Sequence, residues 1–139
     1  MNKRKVDELI PKAVQVLSDV GIAKDNEMEK AYRGQISSFG ASISTGSLLA
    51  AISYFSKQQG NDRGDKEKVD RTLLIRALEK LLDVDADTGL FKYVSMKKGV
   101  SEKRKVKEDI KNASIALKLA MNLYSLSEGE KSEGKKDEQ

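Results

Sequence analysis

Three aspartates spaced two apart, Asp83, Asp85 and Asp87 in the turn DVDADTG, are the arrangement best suited to hold a divalent cation. They match the first three ligand positions of a helix–loop–helix calcium site. Such a loop then needs glycine at its sixth position and a bidentate glutamate at its twelfth. Thr88 and Val94 stand there instead, so the strongest ligand is missing. The plainer reading is a charged turn, with Asp87 capping the segment after it. Asp87-Thr88-Gly89 is also the triplet of aspartic proteases, which present two copies on a β framework to share one proton. A single copy in a helical pattern does not supply that chemistry. The chain has no histidine and no cysteine. It therefore lacks the commonest general base and metal ligand, any thiolate nucleophile and any disulfide. No catalytic residue, metal site, cofactor or small-molecule substrate is expected. A nuclease holding a divalent ion on the three aspartates is the formal alternative.

Positive charge is the chemistry that remains. Six basic residues and one acid fall between Lys97 and Lys107: Lys97, Lys98, Lys103, Arg104, Lys105 and Lys107 against Glu102. Such a cluster suits phosphates, and it equally suits a solvated helix start. Lys3-Arg4-Lys5 carries the same ambiguity. Arg33 is sharper, because a planar guanidinium grips a phosphate with two prongs; an ion pair with a neighbouring acid is its plainer role. The residues expected by charge to meet a nucleic acid are Lys5, Lys12, Arg33, Lys97, Lys98, Lys103 and Arg104. Most of the seven aromatics fall on apolar faces, so base-stacking platforms are not expected. Contact should go to the nucleic-acid backbone and select sequence weakly. Asn112-Ala113-Ser114 fits a glycosylation sequon but lies mid-helix, and it is set aside.

Five principal helices are needed to position these groups. The first covers about Lys3 to Val20, with Val6, Leu9 or Ile10, Ala13, Val16 or Leu17, and Val20 on one stripe. Lys5, Glu8, Lys12, Gln15 and Asp19 share the opposite, solvated stripe. Pro11 either kinks this helix or separates a turn before it. The second runs from about Lys30 to Ser44, with Tyr32, Ile36, Phe39 and Ile43 inward. Gly34, Gly40 and Ala41 are poor helix formers there, and predict a close backbone approach. Gly46 makes the turn into a third helix from about Ser47 to Lys57. A polar loop, GNDRGDKEK, comes next. The fourth helix spans about Lys66 to Leu82, with Asp65 as N-cap. LFKYVSM is a short helix or an extended piece. The fifth helix runs from about Ser101 to Leu126. Val106, Ile110, Ala113, Leu117, Ala120 and Tyr124 make one apolar face, and Ile115, Leu119, Leu123 and Leu126 a second. Ser114, Lys118, Asn122 and Ser125 form a narrow polar stripe. Such a helix is central, or touches both its own bundle and a neighbour.

The chain is thus expected to be all-α, a compact single-domain bundle over residues 1–126. Residues 127–139 hold five acidic and three basic residues with almost nothing apolar, and read as a disordered charged tail. Its 139 residues, 38% hydrophobic and 35% charged with a net charge of +4, suit a core under a heavily charged surface. The longest apolar run, Leu48 to Ile52, is far too short for a bilayer. The N-terminus MNKRKVDEL has no secretory apolar segment. A cytoplasmic location without membrane contact is expected.

Tyr32 to Ser56, YRGQISSFGASISTGSLLAAISYFS, pairs small residues with bulky apolar ones. Through Tyr32-Arg33, Ser38-Phe39-Gly40-Ala41, Ile43, Gly46, Leu48, Ala51 and Tyr54-Phe55, this piece resembles the small helical subunit of the Cmr-type (type III-B) CRISPR effector complex. One helix before it, a variable loop after it and a lysine-rich C-terminal helix fit the same layout. DVDADTG and the acidic tail have no counterpart in that family. The resemblance implies a non-catalytic role in antiviral defence. Copies of the subunit stack into a short filament beside larger backbone subunits, and together they form a groove for guide and target RNA. Target cleavage belongs to those larger subunits. The alternative is a helical protein–protein adaptor without nucleic-acid contact. A helix-turn-helix DNA reader is disfavoured, because LLAAISYF is too apolar to address base edges.

Overall fold

Val6, Ala13, Val16 and Leu17 do close the inner face of the first helix, and the core grows outward from them. The computed structural model of the chain describes residues 1–56 and 70–127. In chain order its elements are α1 (Lys3–Asp19), β1 (Ala23–Lys24), β2 (Glu27–Glu29), α2 (Lys30–Thr45), α3 (Leu48–Phe55), α4 (Thr72–Leu82), α5 (Leu90–Ser95), α6 (Gly99–Met121) and β3 (Ser125–Ser127). The fold is mostly helical and compact, with six helices among the described residues rather than five. LFKYVSM resolves into the sixth as α5.

α1 starts on Asn2, whose side chain accepts a hydrogen bond from the Lys5 amide. It continues through Pro11 without a break, so no separate turn precedes the proline. Pro11 is exposed, and the Asp7 carbonyl that it leaves without an amide partner lies on the solvated side. The Asn2 amide donates to Asn112 Oδ1 (3.0 Å), and the Tyr124 hydroxyl donates to the Val14 carbonyl (2.8 Å). Both bonds join residues 110 apart in the chain. α1 and α6 therefore run side by side in the same direction. Fully buried Leu17, Ile110, Leu117 and Met121 belong to the core they share, each worth roughly 1.5–3 kcal/mol of apolar burial.

This parallel pairing explains the small sheet, which an all-α expectation leaves out. The chain leaves α1 and α6 at the same end of the molecule. After α1 it makes a tight hairpin through Asp25 and Asn26, both left-handed (φ 52° and 66°), as a two-residue hairpin turn demands. β1 pairs antiparallel with β2, and β3 adds to β2 in parallel, matching Glu27 with Ser125 and Glu29 with Ser127. α6 thus ends at Met121, not at Leu126, and Leu123 and Leu126 do not extend its second apolar face. The expected polar stripe fails as well: Ser114 is buried. Ser127, assigned to the tail from sequence, belongs to β3; residues 128–139 lie outside the described residues.

Phe39 of α2 meets Phe55 of α3 edge to face, with ring centroids 5.6 Å apart. Gly46 lies between these helices, and a Cβ there would meet the Ser42 carbonyl at 3.2 Å. No close backbone approach occurs at Gly34 and Gly40: an added Cβ meets nothing within 4 Å among the described residues. Gly34 and Ala41 are exposed on the outer side of α2, and Gly40 is half-buried at its flank. α4 begins at Thr72, not Lys66. Asp70 Oδ1 accepts from the Thr72 amide (3.0 Å) and the Thr72 hydroxyl (2.6 Å). The expected cap Asp65 and the loop GNDRGDKEK, like Lys57, fall outside the described residues. No described helix is long and apolar enough to cross a membrane.

Candidate nucleic-acid interface

α6 begins with Lys98 in cap position, whose amide donates to Glu102 Oε1 (3.0 Å). The one acid of the basic cluster is therefore engaged in starting the helix. From there α6 presents Ser101, Arg104, Lys105 and Glu108 at helical spacing on one face. That face and the first turn of α1 line a groove of about 570 Å³, with Lys5 on the α1 side and Asn112 of α6 also in its lining. The fold thus brings Lys5 and Arg104, remote in sequence, into one space.

The charges of that groove are unevenly matched. Glu108 lies 3.5 Å from the N-terminal ammonium of Met1, and Asp109 lies 3.2 Å from Lys105 Nζ. Both acids have a cation of their own. Lys5 and Arg104 have no acidic partner among the described residues. Uncompensated cations on a concave surface concentrate anions from solution.

The other expected contact residues scatter. Lys103 is exposed but continues the stripe of Val106 and Ile110, so it leaves α6 on a different side from Arg104. Lys98 is exposed at the helix start. Lys97 is half-buried, its ammonium 4.3 Å from the centre of the Tyr93 ring. Arg33 is half-buried on α2, with no ion pair among the described residues. Lys12 is occupied elsewhere: its ammonium donates to Asp83 Oδ1 (3.0 Å) and to the Leu81 carbonyl (3.3 Å). It closes the C-terminal end of α4, where carbonyls lack helical partners. Its role in the fold is structural.

The aspartate turn is likewise taken up by local structure. Asp83 is left-handed (φ 59°) and paired to Lys12. Asp85 Oδ1 accepts from the Asp87 amide (3.2 Å), folding the turn on itself. No group of three or more acidic residues that could hold a metal occurs among the described residues. Asp87 does not cap α5. Glu79, buried on α4, does so, its Oε2 accepting from the Leu90 amide at 2.8 Å. Burial raises the Glu79 pKa, while that hydrogen bond and nearby Arg76 pull it down. Tyr32 is raised in the same way, chiefly by burial; its oxygen accepts from the Asp70 amide (3.2 Å) and ties α2 to the start of α4.

Sequence reasoning missed Asn112 and Glu79. Asn112 stood in a triplet set aside as a mid-helix sequon, and it is 3% exposed. Glu79 is a lone acid among inward leucines, a signal that was available. Two aromatics also depart from expectation: Tyr54 and Phe91 are 59% and 45% exposed. The Arg71 guanidinium sits 4.0 Å from the Tyr54 ring centre, covering one of its faces. No family model, curated protein or solved structure matches this chain.

Proposed function

We propose that this chain is a non-catalytic, RNA-contacting subunit of a ribonucleoprotein, of the kind found as the small subunit of type III-B CRISPR effectors. Copies of it stack with one another and with larger subunits in the cytoplasm, and its basic groove meets guide or target RNA through phosphates. The observation that carries this reading is the pairing of Lys5 and Arg104 in one groove whose acids are already matched by other cations. The Tyr32–Ser56 piece behind the resemblance adds support, since it forms a helix pair closed by Phe39 on Phe55. Each copy offers few phosphate contacts, so affinity alone is weak and rises with assembly through effective concentration. For about three phosphates on a single strand, log affinity falls against log salt with a slope of about −2. Charge reversal at Lys5 and Arg104 tests the proposal. Unchanged RNA affinity of the assembled complex would count against it.

A pure adaptor is the second reading, and one observation favours it. Leu119 near the end of α6, Leu123 in the turn after it and Leu126 in β3 are 41%, 68% and 36% exposed. In that case polar substitutions there abolish assembly, and charge changes in the groove do nothing.

A further inference from the structure

The groove between the start of α1 and the first half of α6 contains a donor that the fold leaves unused. Asn112 is 3% exposed, yet its side chain lines this space. Its Oδ1 accepts from the Asn2 amide at 3.0 Å. Its amide nitrogen has no hydrogen-bond partner among the described residues. That nitrogen is not among the buried side-chain atoms left without a partner, so it meets solvent within the groove and is open to an arriving acceptor. The Ser101 hydroxyl, the Lys5 ammonium and the Arg104 guanidinium line the same space.

The ligand class comes from this donor set. With Glu108 and Asp109 each held by another cation, two positive charges remain uncompensated. A guanidinium fork, an ammonium and two neutral donors suit a tetrahedral oxyanion of nearly double charge. A phosphomonoester carries about −1.5 to −2 at pH 7 and offers three acceptor oxygens; a backbone diester carries a single charge and has fewer free oxygens. The space, about 570 Å³, falls within the range of roughly 300–1,000 Å³ that admits a small molecule.

We infer that this groove binds a terminal phosphoryl group, the monoester end of a nucleotide or of an RNA strand. The RNA strand as its source rests on the function proposed above; the site itself does not. Titration of the full chain with inorganic phosphate, followed by backbone amide NMR, is expected to shift Ser101, Arg104 and Asn112 saturably. Asn112→Asp keeps the acceptor for Asn2 and replaces the free donor with a charged oxygen. It should weaken phosphate binding by at least about tenfold. Arg104→Gln, at an exposed position, should weaken it as well, and Lys12→Gln should leave it unchanged. RNA bearing a 5′-phosphate is then compared with the same strand ending in a hydroxyl, and with a nucleoside monophosphate. Tighter binding of the phosphorylated strand supports both the site and its RNA source. Equal binding of the two strands, with phosphate still held in the groove, supports a site for free nucleotides and removes the RNA source. Wild-type phosphate affinity in both Asn112→Asp and Arg104→Gln overturns the site. So does RNA binding without phosphate-induced shifts, and that outcome leaves the RNA-binding reading standing.

Discussion

The two ends of α6 carry opposite chemistry on one continuous helix. Its first half stands beside the start of α1 and gathers cations around a polar groove. Its last turns run into a small sheet and expose leucines. Between them, Ile110, Ala113, Ala116 and Leu117 are fully buried. The contrast teaches that one rod can serve two surfaces, provided that its middle is held rigidly by the core. Phosphate contact and protein contact should then be separable by mutation.

The largest effect should come from breaking the rod itself. Leu117→Ala removes a fully buried side chain and should cost about 2–5 kcal/mol of stability, read as a lowered midpoint in denaturant. Both surfaces should fail together in that variant. Next, Lys5→Glu combined with Arg104→Glu should leave the thermal midpoint nearly unchanged while weakening RNA binding by the assembled complex. The log–log salt slope should flatten by about 1.4, at roughly 0.7 per lost contact on a single strand. Equal loss of assembly in that double variant would erase the distinction between the ends.

Glu79 provides a smaller test that lies outside both ends. Burial raises its pKa above the ordinary 4.5. A raised acid favours folding fully below 4.5, and that contribution disappears as pH climbs through the folded value. Glutamine at this position can still accept from Leu90 and never ionises. The melting temperature of Glu79→Gln relative to wild type should therefore rise as pH increases from about 4.5, with the groove unaffected. The smallest effect on stability should belong to Leu123→Ser. At 68% exposure, the change should stay within about 0.5 kcal/mol. Association with copies of the chain or with a partner, followed by sedimentation, should nevertheless weaken if the leucine end is an interface.

Helices were legible in this sequence wherever apolar residues recur at helical spacing. Val6, Ala13 and Leu17 in α1 show this, as do Ile36, Phe39 and Ile43 in α2. The sheet was not, because its strands are two or three residues long and show no alternation. Asp25-Asn26 was the available hint of a hairpin. The end of α6 was misplaced for a different reason. No glycine or proline comes directly after Met121, and the Tyr124 hydroxyl turns the chain by reaching the Val14 carbonyl, a partner far away in sequence. Gly34 and Gly40 misled because low helix propensity signals close packing only when something does pack there. The cations were legible as charges but not as a site. Lys5 and Lys12 share one stripe of α1, yet Lys12 is held by Asp83 and only Lys5 faces the groove.

The ammonium of Met1 stands near the groove, opposite Glu108. An affinity tag fused ahead of Met1 would convert that ammonium into a neutral amide and leave Glu108 unbalanced at the rim. Anion capture measured on such a fusion would be understated.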